Sequence, residues 1–317
     1  MSNAYFEILR PGINTTVQDK GRNHMYHVGI AVSGAIDQRN YKLSNKLVNN
    51  DLSDAVIEFA YQGPLLKLKN GKIHFSITGD VLFKIIRKNS IIEDGICYKN
   101  YILEDEEQID IISTKNTIYG YLSVNGGFDL EKVWNSYSTN TKANIGSNNG
   151  KKYSLQDKIF IKNSDLQIIK EMKINYKHAP DNIIRVIKGT NFDYFSSEAK
   201  NIFFKQEFLV TKLADRMGVR LSGHKLENTI STNIKSEGLV RGVIQVPTDG
   251  NPIIMLSDHG TIGGYPKIGV VISADLDRVG QFTPGSIIKF KEVSLEEAQN
   301  IFKAYTEETN KYLNECN

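Results

Sequence analysis

Short apolar runs, each cut off by a turn, constrain this chain more than any other feature. From Leu65 to Ile161 they follow one another as Ile73–Ile77, Leu82–Ile86, Gln108–Ile111 and Tyr119–Val124, the last ended by Asn125-Gly126-Gly127. Runs of this length are too short for helices, and their even spacing predicts the strands of a barrel or sandwich. A second set starts at Ile183–Ile187. It continues through Phe208–Val210, Val219–Leu221, Ile253–Leu256 and Gly269–Ile272, and closes with Pro284–Phe290. Leu155–Ile161 is patterned like that closing strand, a weak sign of two similar halves. Tyr176-Lys177-His178-Ala179-Pro180-Asp181 breaks the rhythm, so a linker is expected at Asn175–Asn182.

Helices are few. Asp37 is the expected N-cap of one carrying Tyr41, Leu43, Leu47 and Val48, and a short one is expected over Ser196–Phe203. The clearest covers 294–313: Ser294 and Glu297 form a capping box, with Leu295, Ala298, Ile301, Phe302, Tyr305 and Tyr312-Leu313 on one face. Thr15-Thr16-Val17-Gln18-Asp19-Lys20-Gly21-Arg22 reads as a polar loop, and Ala143–Tyr153, rich in Gly, Asn, Ser and Lys, as a mobile surface loop.

Composition removes whole classes of function. Charged residues make up 24% with a net charge of +3, so the electrostatic footprint of a nucleic-acid binder is missing. There is no apolar run near the length of a membrane span and no charged-then-apolar leader. Two cysteines, Cys97 and Cys316, supply neither a disulfide framework nor a zinc site. A soluble cytoplasmic protein is expected. No G-x-x-x-x-G-K-[ST] loop, G-x-S-x-G elbow or H-E-x-x-H pair occurs. His24 and His27 lie in a glycine-bracketed loop and the other histidines are scattered, so no metal site is expected.

What remains are three polar clusters. The first is Thr15, Thr16, Gln18, Asp19 and Arg22. In the second, Asp215-Arg216-Met217-Gly218-Val219-Arg220 places two arginines around a glycine, where a fork-shaped donor can grip a carboxylate. The third runs from Gln245 to Asp275. Its Pro247-Thr248-Asp249-Gly250 turn precedes the strand-like Ile253–Leu256, and Gly263-Gly264 then lets backbone approach a ligand or another strand. Tyr265 and Lys267 flank Pro266, so both leave a stiff loop in defined directions. The same pattern also suits a tight β-turn with one exposed lysine. Glu58, in Val56–Phe59, reads as a strand residue facing solvent, with a buried functional acid as the alternative.

These residues resemble a known family along nearly the whole chain. The match runs through Pro11-Gly12, Thr15–Asp19, Gly21-Arg22, Ser33-Gly34-Ala35-Ile36-Asp37, Asn45, Leu47-Val48-Asn49, Glu58 and Gly63-Pro64. It resumes at Asp215–Gly218, Arg220-Leu221, Ser236-Glu237-Gly238, Gln245-Val246-Pro247, Gly250, Gly263–Lys267 and Asp275-Leu276. The family comprises allophanate hydrolase subunit 2 proteins, the C subunit of bacterial 5-oxoprolinase, the biotin-dependent carboxyltransferase domain of urea amidolyase, and a sporulation-control protein that antagonises a histidine-kinase inhibitor. The resemblance implies a mainly β fold of two cyclophilin-like β-barrel units, at 5–175 and 183–290, with a packing helix at 294–315. It implies a homologous subunit 1 (the B component) sharing the active site, a third subunit (the A component), and ATP-dependent opening of 5-oxoproline to glutamate. ATP would be bound by or with the partners, and the chain would be inactive alone. Biotin enters only under the alternative, carboxyl transfer in urea breakdown; a non-catalytic regulator is a further alternative.

In that frame the expected catalytic residues are Lys267, Arg216 and Tyr265. Gln245, Thr261, Gly263, Gly264, Gln18, Asp19 and Glu58 would contact substrate, the two carboxylates doubling as candidate bases. The chain departs from the family pattern where Tyr137 stands in Asn135-Ser136-Tyr137-Ser138-Thr139 in place of an arginine. Ala214 and Gly260 also depart from it. If that arginine binds an anionic intermediate, either Lys151, Lys152 or Arg216 supplies the charge here or the activity has drifted.

Overall fold

The computed structural model describes residues 3–162, 170–176, 181–230 and 233–315. Residues 177–180 of the expected linker lie outside them, as does Cys316. The chain divides into two units. One comprises Met1–Arg22, Ser33–His178 and Thr309–Asn317, the other Asn23–Val32 and Ala179–Glu308. Residues 23–32, inside the stretch read from sequence as the first unit, thus pack with the second, and the last helix ends with the first.

In the first unit the strands form two sheets. A six-stranded sheet runs in the order Lys158–Phe160, Tyr5–Arg10, Leu65–Lys69, Gln108–Thr114, Val81–Ile86, Ile92–Asp94. A five-stranded sheet runs Asn14–Gln18, Val56–Ala60, Tyr119–Val124, Lys72–Thr78, Asn100–Glu104. Alternation drives the packing: Phe6, Ile8, Leu66, Phe83 and Ile109 from one sheet meet Val17, Ile57, Phe75 and Leu122 from the other in a single core. The opposite face of the five-stranded sheet is covered by the helix Gln38–Leu47, whose Ser44 hydroxyl lies 2.8 Å from that of Ser123. Tyr119–Val124 is therefore buried along its whole length, as a strand covered on both faces must be. The helix starts where expected, Asp37 accepting the Asn40 N–H at 2.9 Å.

Two sequence readings of this unit are corrected. Asn14–Gln18 is a strand, not a loop, and Thr15, Thr16 and Gln18 are buried in it. Glu58 is 1% exposed rather than facing solvent, because the helix side of the sheet is closed. The glycine-rich segment is tied down: Ser147 N–H donates to the Tyr137 carbonyl and Tyr153 N–H to that of Thr15. Gly146, at φ +105°, sits where a Cβ would lie 1.9 Å from the Ser138 carbonyl oxygen, a position only glycine can hold.

The second unit is a closed barrel of seven strands, in the order Ile183–Lys188, Lys267–Val271, Val243–Gln245, Ile253–Met255, Gly218–Gly223, Phe208–Val210, Ile287–Glu292. Closure comes from parallel pairing of Ile183–Val186 with Lys289–Glu292. In the first unit the late strand Lys158–Phe160 also returns to the first strand, but antiparallel to it. Barrel interior residues include Ile184, Val219, Leu221, Ile244, Ile254 and Phe290, and the helix Ser197–Lys205 sets Phe203 against Phe290 with ring centroids 4.5 Å apart. Outside the barrel a two-stranded ribbon pairs Glu237 with Gly263 and Gly238 with Ile262.

The last helix, Leu295–Asn314, has the expected capping box: Ser294 N–H donates to Glu297 Oε2 at 2.7 Å and Glu297 N–H to Ser294 Oγ at 3.1 Å. Its buried face is narrower than the sequence pattern implies. Ala298 packs with Ile272 and Val293, while Leu295 and Phe302 are 63% and 46% exposed. No helix of the described residues is long and apolar enough to cross a membrane.

Candidate functional site

Strand alternation builds a cavity on the outer face of the second unit's barrel. Val219, Ile244 and Ile254 point inward, so Gly218, Arg220, Gln245, Ile253 and Met255 line the outside, with the ribbon residues Leu239, Ile262, Gly263 and Gly264 over them. The cavity measures about 290 Å³, the lower end of the range of ligand pockets. Its floor is apolar, Leu239 and Met255 forming one cluster with Val243. A few polar groups converge on it: Gln245, Arg220, His259 and Asp215.

Gln245 is 4% exposed, and its Nε2 donates to the Tyr265 carbonyl at 3.2 Å. This contact needs Gly263. A Cβ there would stand 2.6 Å from Gln245 Nε2 and 2.8 Å from Leu239 Cδ1. The ribbon is held in place by Leu239 N–H to the Thr261 carbonyl and Ile234 N–H to that of Gly264, both 2.9 Å. Gln245, Gly263, Gly264 and Tyr265, singled out in the sequence, therefore surround one cavity. Thr261 does not line it and serves the ribbon through its backbone.

Lys267 is 4% exposed and its ammonium is ion-paired with Glu237 of the ribbon, while its N–H donates to Asn191 Oδ1 at 3.1 Å. That ammonium holds Glu237 below the ordinary carboxylate range, chiefly through the hydrogen bond it donates. Lys267 thus fastens the ribbon to the barrel. Arg216 is likewise committed: its Nε and Nη2 donate to Asp258 at 2.8 and 3.2 Å, both side chains buried. Arg220, four residues on, is exposed and lines the cavity.

Sequence spacing gives no reason to single out His259 among the scattered histidines. It is 2% exposed, and Nδ1 lies 2.5 Å from the Gly260 carbonyl, so this nitrogen carries the proton. Nε2 is then the acceptor for the Tyr26 hydroxyl 3.3 Å away, contributed by residues 23–32. Burial pushes the imidazole below its usual pKa, which keeps it neutral near pH 7. Only the chain fold brings Tyr26 to it, across 233 positions of sequence.

The remaining expected residues belong to the first unit and are bonded within it. Gln18 Nε2 donates to Thr16 Oγ1 and the Thr139 carbonyl at 3.1 and 2.9 Å. Asp19 accepts from Gly21 N–H, Ser136 Oγ and Tyr137 N–H at 2.7–2.8 Å, and from Ser138 Oγ at 2.5 Å. Glu58 accepts from Ile36 N–H and the Tyr121 hydroxyl at 2.8 and 2.9 Å. Tyr137 has two cations over its ring, Lys132 at 5.1 Å and Lys162 at 6.0 Å. Lys151 and Lys152 are exposed, and Lys152 donates to the Ile13 carbonyl. Among the described residues no His/Cys/Asp/Glu cluster is arranged to hold a metal.

Comparison with known proteins agrees with this architecture. The chain is 30% identical over 296 residues to the C subunit of 5-oxoprolinase from Escherichia coli, covering 92% of each. It is 31% identical to the Haemophilus influenzae protein of the same name, covering 93% of each. Among solved structures it matches Kluyveromyces lactis urea amidolyase with a TM-score of 0.88 and 25% identity. That match covers 98% of this chain but only 20% of the larger one. The model of the carboxyltransferase domain, subdomain A and B, matches residues 28–292, and the chain belongs to that family.

Proposed function

We propose that this chain is one component of an ATP-dependent complex that opens the lactam of 5-oxoproline to glutamate. The observation that carries the reading is the cavity of the second unit: small, apolar-floored, and edged by an amide side chain and a guanidinium. Near full-length similarity to proteins named as the C subunit of 5-oxoprolinase supports it. In the reaction water adds to the lactam carbonyl, the ring C–N bond breaks and the nitrogen leaves as the amine of glutamate, with ATP hydrolysis driving the step. Negative charge grows on the carbonyl oxygen, where preorganised N–H donors are worth most. Gln245, Tyr265 and the Gly263-Gly264 backbone would contact and orient the ring. Lys267 acts through Glu237 as a positioning residue, and His259, which lines the cavity and meets the Tyr26 hydroxyl, is a group able to take or give a proton.

Gly146 and Gly150 pack against the backbone of Ser138 and Asn144, where a Cβ would clash. In this reading ATP is held by or with the partners, a homologous subunit 1 and a third subunit, and no step on this chain passes through it. A second reading, biotin-dependent carboxyl transfer to urea, is favoured by the likeness to urea amidolyase. One assay separates the two: loss of 5-oxoproline and of urea, with and without ATP, by this chain, its partner, both, and all three subunits. Turnover of 5-oxoproline only in the full mixture is expected. Turnover by this chain alone would end the shared-site reading, and urea carboxylation with a biotin carrier would replace the substrate.

A further inference from the structure

We propose that the cavity takes a small carboxylate and that Arg220 selects it; that the carboxylate belongs to a lactam rests on the reading above. Val219 and Leu221 turn into the barrel, so Arg220 turns out, and its pairing with Ile253 sets it beside the apolar floor. Arg216 is consumed by Asp258, whereas the Arg220 guanidinium makes no hydrogen bond or close ion pair among the described residues, although its charge is felt by Asp249. A planar fork left open at the edge of a cavity matches a carboxylate in bidentate geometry. The other charged lining group, Asp215, is turned to its own backbone, Oδ1 accepting from Met217 and Gly218 N–H at 2.8 and 3.3 Å. Gln245 Oε1 accepts no hydrogen bond among the described residues and can take a ligand N–H. Carboxylate, apolar body and N–H donor together describe a small cyclic or short-chain amide acid. Urea carries no charge for Arg220 to meet.

The test uses the full chain labelled at methionine methyls, because Met217 and Met255 both line the cavity. The probes are 5-oxoproline, tetrahydrofuran-2-carboxylate (acid without amide) and 2-pyrrolidinone (amide without acid). Both acids should shift the Met217 and Met255 signals saturably, and 2-pyrrolidinone should bind at least about tenfold more weakly, the loss of one charge-assisted pair. Arg220→Met should weaken the acids by a similar factor, leave 2-pyrrolidinone unchanged and keep the wild-type Tm, with Arg220→Lys in between. The proposal is overturned if no acid shifts these signals, if 2-pyrrolidinone binds as tightly, or if Arg220→Met binds the acids normally. Failure of the oxoprolinase reading is separate. Arg220-dependent binding of tetrahydrofuran-2-carboxylate with no opening of 5-oxoproline by any mixture removes that reading and leaves the carboxylate site standing.

Discussion

Arg216→Met should cost stability and leave ligand binding intact. The Arg216 and Asp258 side chains are 8% and 3% exposed, and two hydrogen bonds join them. Asp258 N–H also donates to the Arg216 carbonyl at 2.9 Å, so backbone and side chains hold the same corner. Removing the guanidinium strands a buried carboxylate, which costs about 3–5 kcal/mol. At roughly 3 °C per kcal/mol for a unit of this size, Tm falls by about 9–15 °C. Asp258→Asn in the Arg216→Met background removes the stranded charge and should restore a large part of that loss. A double-mutant cycle followed by denaturant unfolding then gives a coupling energy of about 2 kcal/mol or more. A folded Arg216→Met protein with wild-type Tm and no affinity for 5-oxoproline would refute the argument and return Arg216 to the ligand site.

Three further outcomes follow from the geometry. Gly263→Ala should lower stability by about 1–3 kcal/mol, as overpacking does, and weaken ligand binding, because the new Cβ displaces Gln245 and Leu239; thermal melts and the methionine titration read both. His259 has a depressed pKa in the folded state, so the stability it contributes is present above its ordinary value of 6.5 and is lost as pH falls through the folded value. Tm should therefore drop on acidification below about pH 6.5, less steeply in His259→Gln. Glu58→Gln should destabilise the first unit by about 1–3 kcal/mol, since it brings amide donors among groups that themselves donate to the carboxylate, while turnover per folded complex stays unchanged; lost turnover at full stability would restore Glu58 as a base.

Local rules are legible where the deciding partner is near in sequence. Asp37 and the Ser294–Glu297 box can be read because a cap and its hydrogen-bond partner are three residues apart. Apolar alternation marks the barrel strands because the water-excluding face is written into every second residue. Asn14–Gln18 escapes because its polarity is satisfied from afar: Gln18 reaches the carbonyl of Thr139, 121 residues on. The ribbon Glu237–Gly238 with Ile262–Gly263 escapes because two-residue strands carry no period at all.

The site shows the same division. Glycines, tyrosine and glutamine of the 245–265 stretch are found because turn chemistry and close approach are local properties. The sequence reading picks Arg216 over Arg220 without sight of Asp258, which lies 42 residues beyond Arg216 on a different loop. That carboxylate engages the first arginine and buries both charges together. Arg220, two alternations further along, inherits the open face. Lys267 follows the same logic, since Glu237 of the ribbon claims it. In a barrel whose strands are three to six residues long, charged groups near a cavity are allotted by partners from other strands. A charged residue that no carboxylate engages by hydrogen bond is therefore the stronger candidate for meeting a ligand, which is the ground on which Arg220 rather than Arg216 is proposed for that role.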